Sequence, residues 1–122
     1  MAFEILKRET IFRGKVFDID LYQVKYPDGR TSQMDIVQHH DAVTLLPLDE
    51  QGQVWFIRQY RLAARKELLE LPAGVMEGGE TPLQAAQREL REEIGLAAGS
   101  LQEIASFYLA AGYTTEKMHV FL

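Results

Sequence analysis

Residues 81–95 constrain this chain more than any other stretch, because both ends of a helix are written into them. Thr81 is an N-cap residue, Pro82 suits the first helical position, and Gln84 completes a capping box with Thr81. Gly95 supplies the stop. The spacing therefore predicts one helix over 82–94.

The rest reads as strand and turn. Phe12 to Lys25 is rich in Val, Ile, Phe and Tyr, Pro27-Asp28-Gly29 is a turn signal, and Thr31 to Gln38 runs back. Residues 10–40 thus predict one or two antiparallel hairpins. Ala42 to Leu48 has the length of a buried strand, Asp49-Glu50-Gln51-Gly52 is a polar turn, and Val54 to Tyr60 is the next strand. Residues 61–71 read as a loop and a short strand at Leu68–Leu71. Pro72 and Gly74, Gly78 and Gly79 then predict an irregular glycine loop. Leu101–Leu109 and Lys117–Leu122 are two further strands. Strands around a single helix, with a glycine loop feeding its N-terminus, predict an α+β sandwich.

Composition narrows the partners. The chain has 122 residues, enough for one domain and few for two. Its formal charge of −5 speaks against nucleic acid or an anionic membrane gripped through bulk positive charge. With no cysteine, disulfides, thiolate nucleophiles and Cys-ligated metals are excluded. No apolar run approaches the ~20 residues of a membrane span, and the charged N-terminus does not read as a signal peptide. The expected location is the cytoplasm.

Projected at ~100° per residue, Leu83, Ala86, Leu90 and Ile94 form the expected core stripe of the helix. Glu89, Glu92 and Glu93 fall on a neighbouring stripe, with Arg88 and Arg91 farther round. Like charges one turn apart repel, and carboxylates in the last turn oppose the helix dipole. A solvated face partly neutralised by the arginines is one explanation. A divalent cation is the other, since hard oxygen ligands at this spacing suit Mg²⁺ or Mn²⁺.

The wider pattern favours the cation. Gly74, five residues, Glu80, seven residues and then Arg88-Glu89-Leu90-Arg91-Glu92-Glu93-Ile94-Gly95-Leu96 match every fixed position of the Nudix box, G-x5-E-x7-R-E-U-x-E-E-x-G-U. The chain thus resembles the Nudix hydrolases, which cleave nucleoside diphosphates linked to another moiety. Glu70-Leu71-Pro72-Ala73-Gly74 and Arg58-Gln59-Tyr60-Arg61 resemble segments of the ADP-ribose pyrophosphatase branch.

The resemblance implies a Nudix-type α/β/α sandwich with a mixed sheet, preceded by an N-terminal antiparallel hairpin region. Residues 1–122 would form a single domain, with 1–40 as dimerising strands and 41–122 as the catalytic core. It implies that Glu89 and Glu93 ligate Mg²⁺ (or Mn²⁺), that Glu92 is a further ligand or orients water, and that the Ala73 carbonyl adds a contact. Glu80 and Arg88 are structural members of the box, Arg88 pairing with a carboxylate so that the ligands stay aimed, and Gly74 and Gly95 shape the backbone. Arg61 matches a substrate-contacting position and Val75 a position whose backbone faces substrate. Asp35 and His39 lie where ligand contacts from a partner chain are expected, which implies a homodimer with shared sites. Glu116 is a candidate ligand or catalytic base; a loop carboxylate without a role is the alternative. His39-His40 is not a metal pair, because adjacent strand residues point to opposite faces, and His119 reads as a strand residue. Phe12, Phe17 and Tyr22 read as packing residues.

Two departures stand out. The branch carries a Pro-Gly pair where this chain has Ala110-Ala111-Gly112. Relatives also continue past the strand resembling Met118–Leu122 into a further strand, an acidic loop and a helix, which implies a piece of a longer protein or a minimal form. The implied function is metal-dependent hydrolysis of a nucleoside diphosphate sugar, ADP-ribose first. A non-catalytic nucleotide-binding module and a hydrolase of another nucleoside diphosphate derivative are the alternatives.

Overall fold

The computed structural model describes residues 2–95 and 99–122, without the side chain of Ile94. Leu96, the last motif position, and the expected core contact of Ile94 lie outside the described residues. The chain divides into two compact units, one running through His40 and including Tyr108–Glu116, the other comprising Asp41–Phe107 and Lys117–Leu122.

The first unit is an antiparallel sheet of three strands, β1 (Glu4–Arg13), β2 (Asp18–Lys25) and β3 (Thr31–Gln38), with β2 in the centre. The apolar run from Phe12 to Lys25 is not one strand. It breaks at a tight turn in which the Gly14 N–H donates to the Phe17 carbonyl at 2.9 Å. The Pro27–Gly29 turn forms as its residues demand, with Gly29 at φ 92°. Asp20 is the buried acid of this sheet, and it accepts from Thr10 Oγ1 at 2.6 Å and Arg8 Nε at 2.9 Å. Those bonds outweigh burial and hold its carboxyl below the usual range. Phe12 and Phe17 pack against each other with ring centroids 6.3 Å apart, while both remain partly exposed. The 108–116 segment runs beside the end of β3, where Val37 N–H donates to the Tyr113 carbonyl and Thr115 N–H to the Val37 carbonyl.

The second unit carries β4 (Ala42–Leu45), β5 (Ile57–Arg61), β6 (Lys66–Glu70), β7 (Ala73–Val75), α1 (Pro82–Ile94), β8 (Glu103–Tyr108) and β9 (Lys117–Phe121). β7, β4, β9 and β8 form a mixed sheet in that order, with β4 antiparallel to β7 and parallel to β9. β5 and β6 form an antiparallel hairpin.

Several boundaries differ from the sequence expectation. β4 stops at Leu45, before Pro47, and Val54 makes only an isolated bridge to Leu48, so the following strand begins at Ile57. β6 starts at Lys66 rather than Leu68, because its pairing with Arg61 extends it. The expected irregular loop contains β7, which exists because Gly74 pairs with Val43 and Ala73 with Thr44.

α1 is capped as its sequence requires. Thr81 Oγ1 accepts from the Gln84 N–H at 3.2 Å, the Gln84 side chain accepts from the Thr81 N–H at 3.0 Å, and Gly95 takes the left-handed conformation. The helix buries Ala85, Ala86 and Leu90 against Val43, Leu45 and Phe121. Leu83 is not part of that core: it is 43% exposed, and Ala85 takes the buried position instead. Two adjacent alanines let the helix lie close to the sheet, which turns the core-facing stripe away from Leu83.

Candidate functional site

The site begins with two glutamates one turn apart on α1. Glu89 is 7% exposed, and Glu93 has one buried oxygen, Oε2, without a hydrogen-bond partner. Burial, and then the charge of Glu89, push the Glu93 carboxyl above the usual range. The nearby Ala73 backbone opposes the shift, while the neighbouring Glu89 carboxyl reinforces it. Two carboxylates this close repel as a pair of anions, and a divalent cation between them relieves that repulsion. The donor chemistry fits such an ion: hard carboxylate oxygens, one of them orphaned. Among the described residues, no three His, Asp or Glu side chains are gathered as a complete cage. Two carboxylates completed by phosphate and water are an ordinary setting for Mg²⁺.

Arg88 braces this pair from beside it. Its Nε and Nη2 donate to the two Glu80 oxygens at 2.8 and 2.9 Å, Nη1 donates to Glu89 Oε1 at 2.6 Å, and Nη2 also reaches the Val75 carbonyl at 3.1 Å. Glu92 lies farther out, 59% exposed and 3.3 Å from Arg88. The fork holds the Glu80 carboxyl down at about 2. Glu80 Oε1 in turn accepts from the Glu77 N–H at 2.8 Å, so the loop before α1 is tied to the same guanidinium. The bridged backbone of Val75 is thus already engaged by Arg88.

β7 lies next to the acids. A Cβ built on Gly74 would fall on the Glu89 carboxyl, so glycine is required here by close approach. Gly79 has φ 82°, a conformation that favours glycine, whereas a Cβ on Gly78 meets nothing within 4 Å. Arg61, at the end of β5, donates from Nε and Nη2 to Glu70 at 2.8 and 2.7 Å, and its charge also acts on Glu93.

Asp35, His39 and Glu116 belong to the first unit. Asp35 is exposed on β3 opposite Leu21. His39 Nδ1 lies 3.7 Å from Glu116 Oε2, and its N–H donates to Thr115 Oγ1 at 3.0 Å. His39, Gln38, Lys15, Phe17 and Thr115 line a cleft in this unit.

Two groupings were not anticipated. Glu70 holds Arg61, and the only sequence signal was its place in the segment before the box. His119 is bracketed by two acids, with Nδ1 2.7 Å from Glu103 and Nε2 3.3 Å from Asp41. Only the sheet order brings those three together.

The NUDIX domain family matches residues 38–122. An ADP-ribose pyrophosphatase of Bacillus subtilis is 39% identical over 117 residues, covering 96% of this chain and 63% of that protein. A methanol dehydrogenase activator of Bacillus methanolicus is 34% identical with the same coverage. A crystal structure of an ADP compounds hydrolase superposes with a TM-score of 0.89 at 25% identity, covering 99% of this chain and 66% of that one. The chain therefore spans a little under two thirds of the length of these relatives.

Proposed function

The chain belongs to the NUDIX domain family, and from that premise we propose that it hydrolyses the pyrophosphate bond of a nucleoside diphosphate sugar, ADP-ribose giving AMP and ribose 5-phosphate. The observation that carries this reading is the Glu89–Glu93 pair, with its orphaned oxygen, packed against the backbone of β7. An acid pair kept there without a ligand is electrostatically costly.

In this reading Glu89, Glu93 and the Ala73 carbonyl hold Mg²⁺ or Mn²⁺, and Glu92 is a further ligand or orients water. When bound, the cation offsets phosphate charge and lowers the pKa of water. Water oxygen forms a new bond to one phosphorus as the bridging P–O bond breaks, and the departing phosphate takes the electron pair. On its sequence position alone, Glu116 is the residue proposed to accept the water proton. Arg88 keeps Glu89 aimed through the contacts described above, while Arg61 meets the phosphate and Val75 borders the substrate. Gly74, Glu80 and Gly95 hold the backbone in shape.

Residues 1–122 act as a single domain in this proposal, and two copies associate through the N-terminal strands so that Asp35 and His39 reach the neighbour's ligand. The exposure of Ile5, Leu6, Ile11 and Phe12 on β1 supports that association. No described helix is long and apolar enough to cross a membrane.

Incubation with Mg²⁺ and a panel of ADP-ribose, sugar nucleotides, dinucleoside polyphosphates and nucleoside triphosphates tests the proposal. Equimolar AMP and ribose 5-phosphate from ADP-ribose is the expected result; turnover of triphosphates alone refutes it. The named role of the Bacillus methanolicus relative, activation of another enzyme, favours one second reading, a nucleotide-binding module without turnover. That reading predicts ligand-induced stabilisation and no product.

A further inference from the structure

The β5–β6 hairpin has two unlike faces, and its register sorts the residues between them. Cross-strand partners in an antiparallel pair share a face, as do residues two apart along a strand. Ile57 and Gln59 therefore lie with Glu70 and Leu68, and on this side Ile57, Leu68 and Glu70 are partly buried. Arg58 and Tyr60 lie with Leu69 and Glu67 on the other side, where all four are exposed. Tyr60 is 57% exposed and Leu69 63%.

The charges beside those two apolar groups are what give the outer face a partner. Arg58 stands opposite Leu69, and Tyr60 stands opposite Glu67. The four thus form a checkerboard, with the apolar groups on one diagonal and opposite charges on the other. On the partly buried face Arg61 and Glu70 pair at 2.7 Å. Among the described residues, the side chains of Arg58 and Glu67 take part in no ion pair or hydrogen bond.

Such a pattern is its own complement. A twofold axis along the Tyr60–Leu69 diagonal sets a second copy face to face, Tyr60 over Tyr60 and Leu69 over Leu69, and carries each Arg58 towards the other copy's Glu67. The checkerboard measures ~7 Å along the strands and ~5 Å across them, so two long side chains can close the offset from a true square.

We propose that the outer face of β5–β6 is a contact between two copies of this chain, with Tyr60 and Leu69 at its centre and two Arg58–Glu67 ion pairs across it. Phe56 and Leu62, at either end of β5 and 49% and 77% exposed, extend the apolar strip. So few side chains fall short of the roughly 20–30 residues a side of a standard interface, which makes the association weak and concentration-dependent. It is separate from association through β1, which belongs to the other unit.

Sedimentation equilibrium of the full chain over a range of concentrations tests the proposal. Arg58→Glu puts two acids at each charged contact, and Glu67→Arg puts two bases there. Each is expected to weaken self-association at least about 10-fold, because like charges set against each other across an interface are costly. An equimolar mixture of the two variants is expected to regain wild-type association, since every contact then joins opposite charges. The double variant Arg58→Glu/Glu67→Arg is expected to regain it too, which also shows that both substitutions are compatible with folding. Association through β1 is common to every sample and leaves these differences intact. Equal masses for the wild type and the single variants overturn the proposal, and are the result if another part of a longer protein covers this face. A mixture or a double variant that associates no better than the single variants overturns it as well.

Discussion

Gly74→Ala separates the site from the fold. The added methyl carbon would land on the Glu89 carboxyl, which must withdraw by roughly 1 Å or more to reach an ordinary van der Waals distance. The backbone itself accepts alanine, since Gly74 is not among the glycines with positive φ. A stiffer unfolded chain contributes about 0.4–1 kcal/mol in favour of the variant. Against it stands the Arg88–Glu89 ion pair, whose side chains are 17% and 10% exposed and so little screened by water. Its loss costs about 1.5–3 kcal/mol, leaving a net destabilisation of roughly 0.5–2.5 kcal/mol. Activity should fall much further. A catalytic group misplaced by about 1 Å loses on the order of 10²-fold in rate. The assay is kcat/KM on ADP-ribose with Mg²⁺ beside a thermal melt, with Gly78→Ala as the control because its Cβ meets nothing within 4 Å. Wild-type kcat/KM in Gly74→Ala would refute the placement of Glu89 at the reacting centre.

Arg88→Lys keeps the charge but not the fork that spans Glu80, Glu89 and the Val75 carbonyl. Metal affinity or kcat/KM should fall about 10–100-fold, as for other supporting groups. Acid stability offers a separate check, because the Glu80 carboxyl is depressed from 4.5 to about 2 when folded. Its contribution is present above pH 4.5 and disappears as the pH falls through 2, so urea midpoints of Glu80→Gln should show a shallower acid decline than the wild type. Leu90 is 6% exposed among Val43, Leu45 and Phe121. Leu90→Ala should lower unfolding stability by about 2–5 kcal/mol in urea titration.

How much of this was legible depended on how far apart the cooperating residues lie. α1 was legible from end to end, because Thr81, Gln84 and Gly95 act within one or two turns. The carboxylate pair was equally legible, since positions 89 and 93 share a helix face wherever the helix packs. β7 was not: three residues containing a glycine become a strand only because β4 supplies partners. β1 is almost wholly exposed, so hydrophobic alternation could not mark its start at Glu4. Leu83 looked like core until the sheet approached the Ala85–Ala86 side. Arg61–Glu70 depends on how the β5–β6 hairpin places the two side chains, and His119 meets acids 16 and 78 positions away.

In the proposed function, Glu93 belongs to a metal centre that cleaves pyrophosphate. Release of AMP from ADP-ribose by the wild type and by Glu93→Gln, each with Mg²⁺ and with a chelator, tests it most directly. The expected result is metal-dependent AMP release by the wild type and a loss on the order of 10²-fold or more in the variant, which replaces a charged ligand by a neutral one. Equal AMP release by the two proteins, or release that survives the chelator, would contradict it.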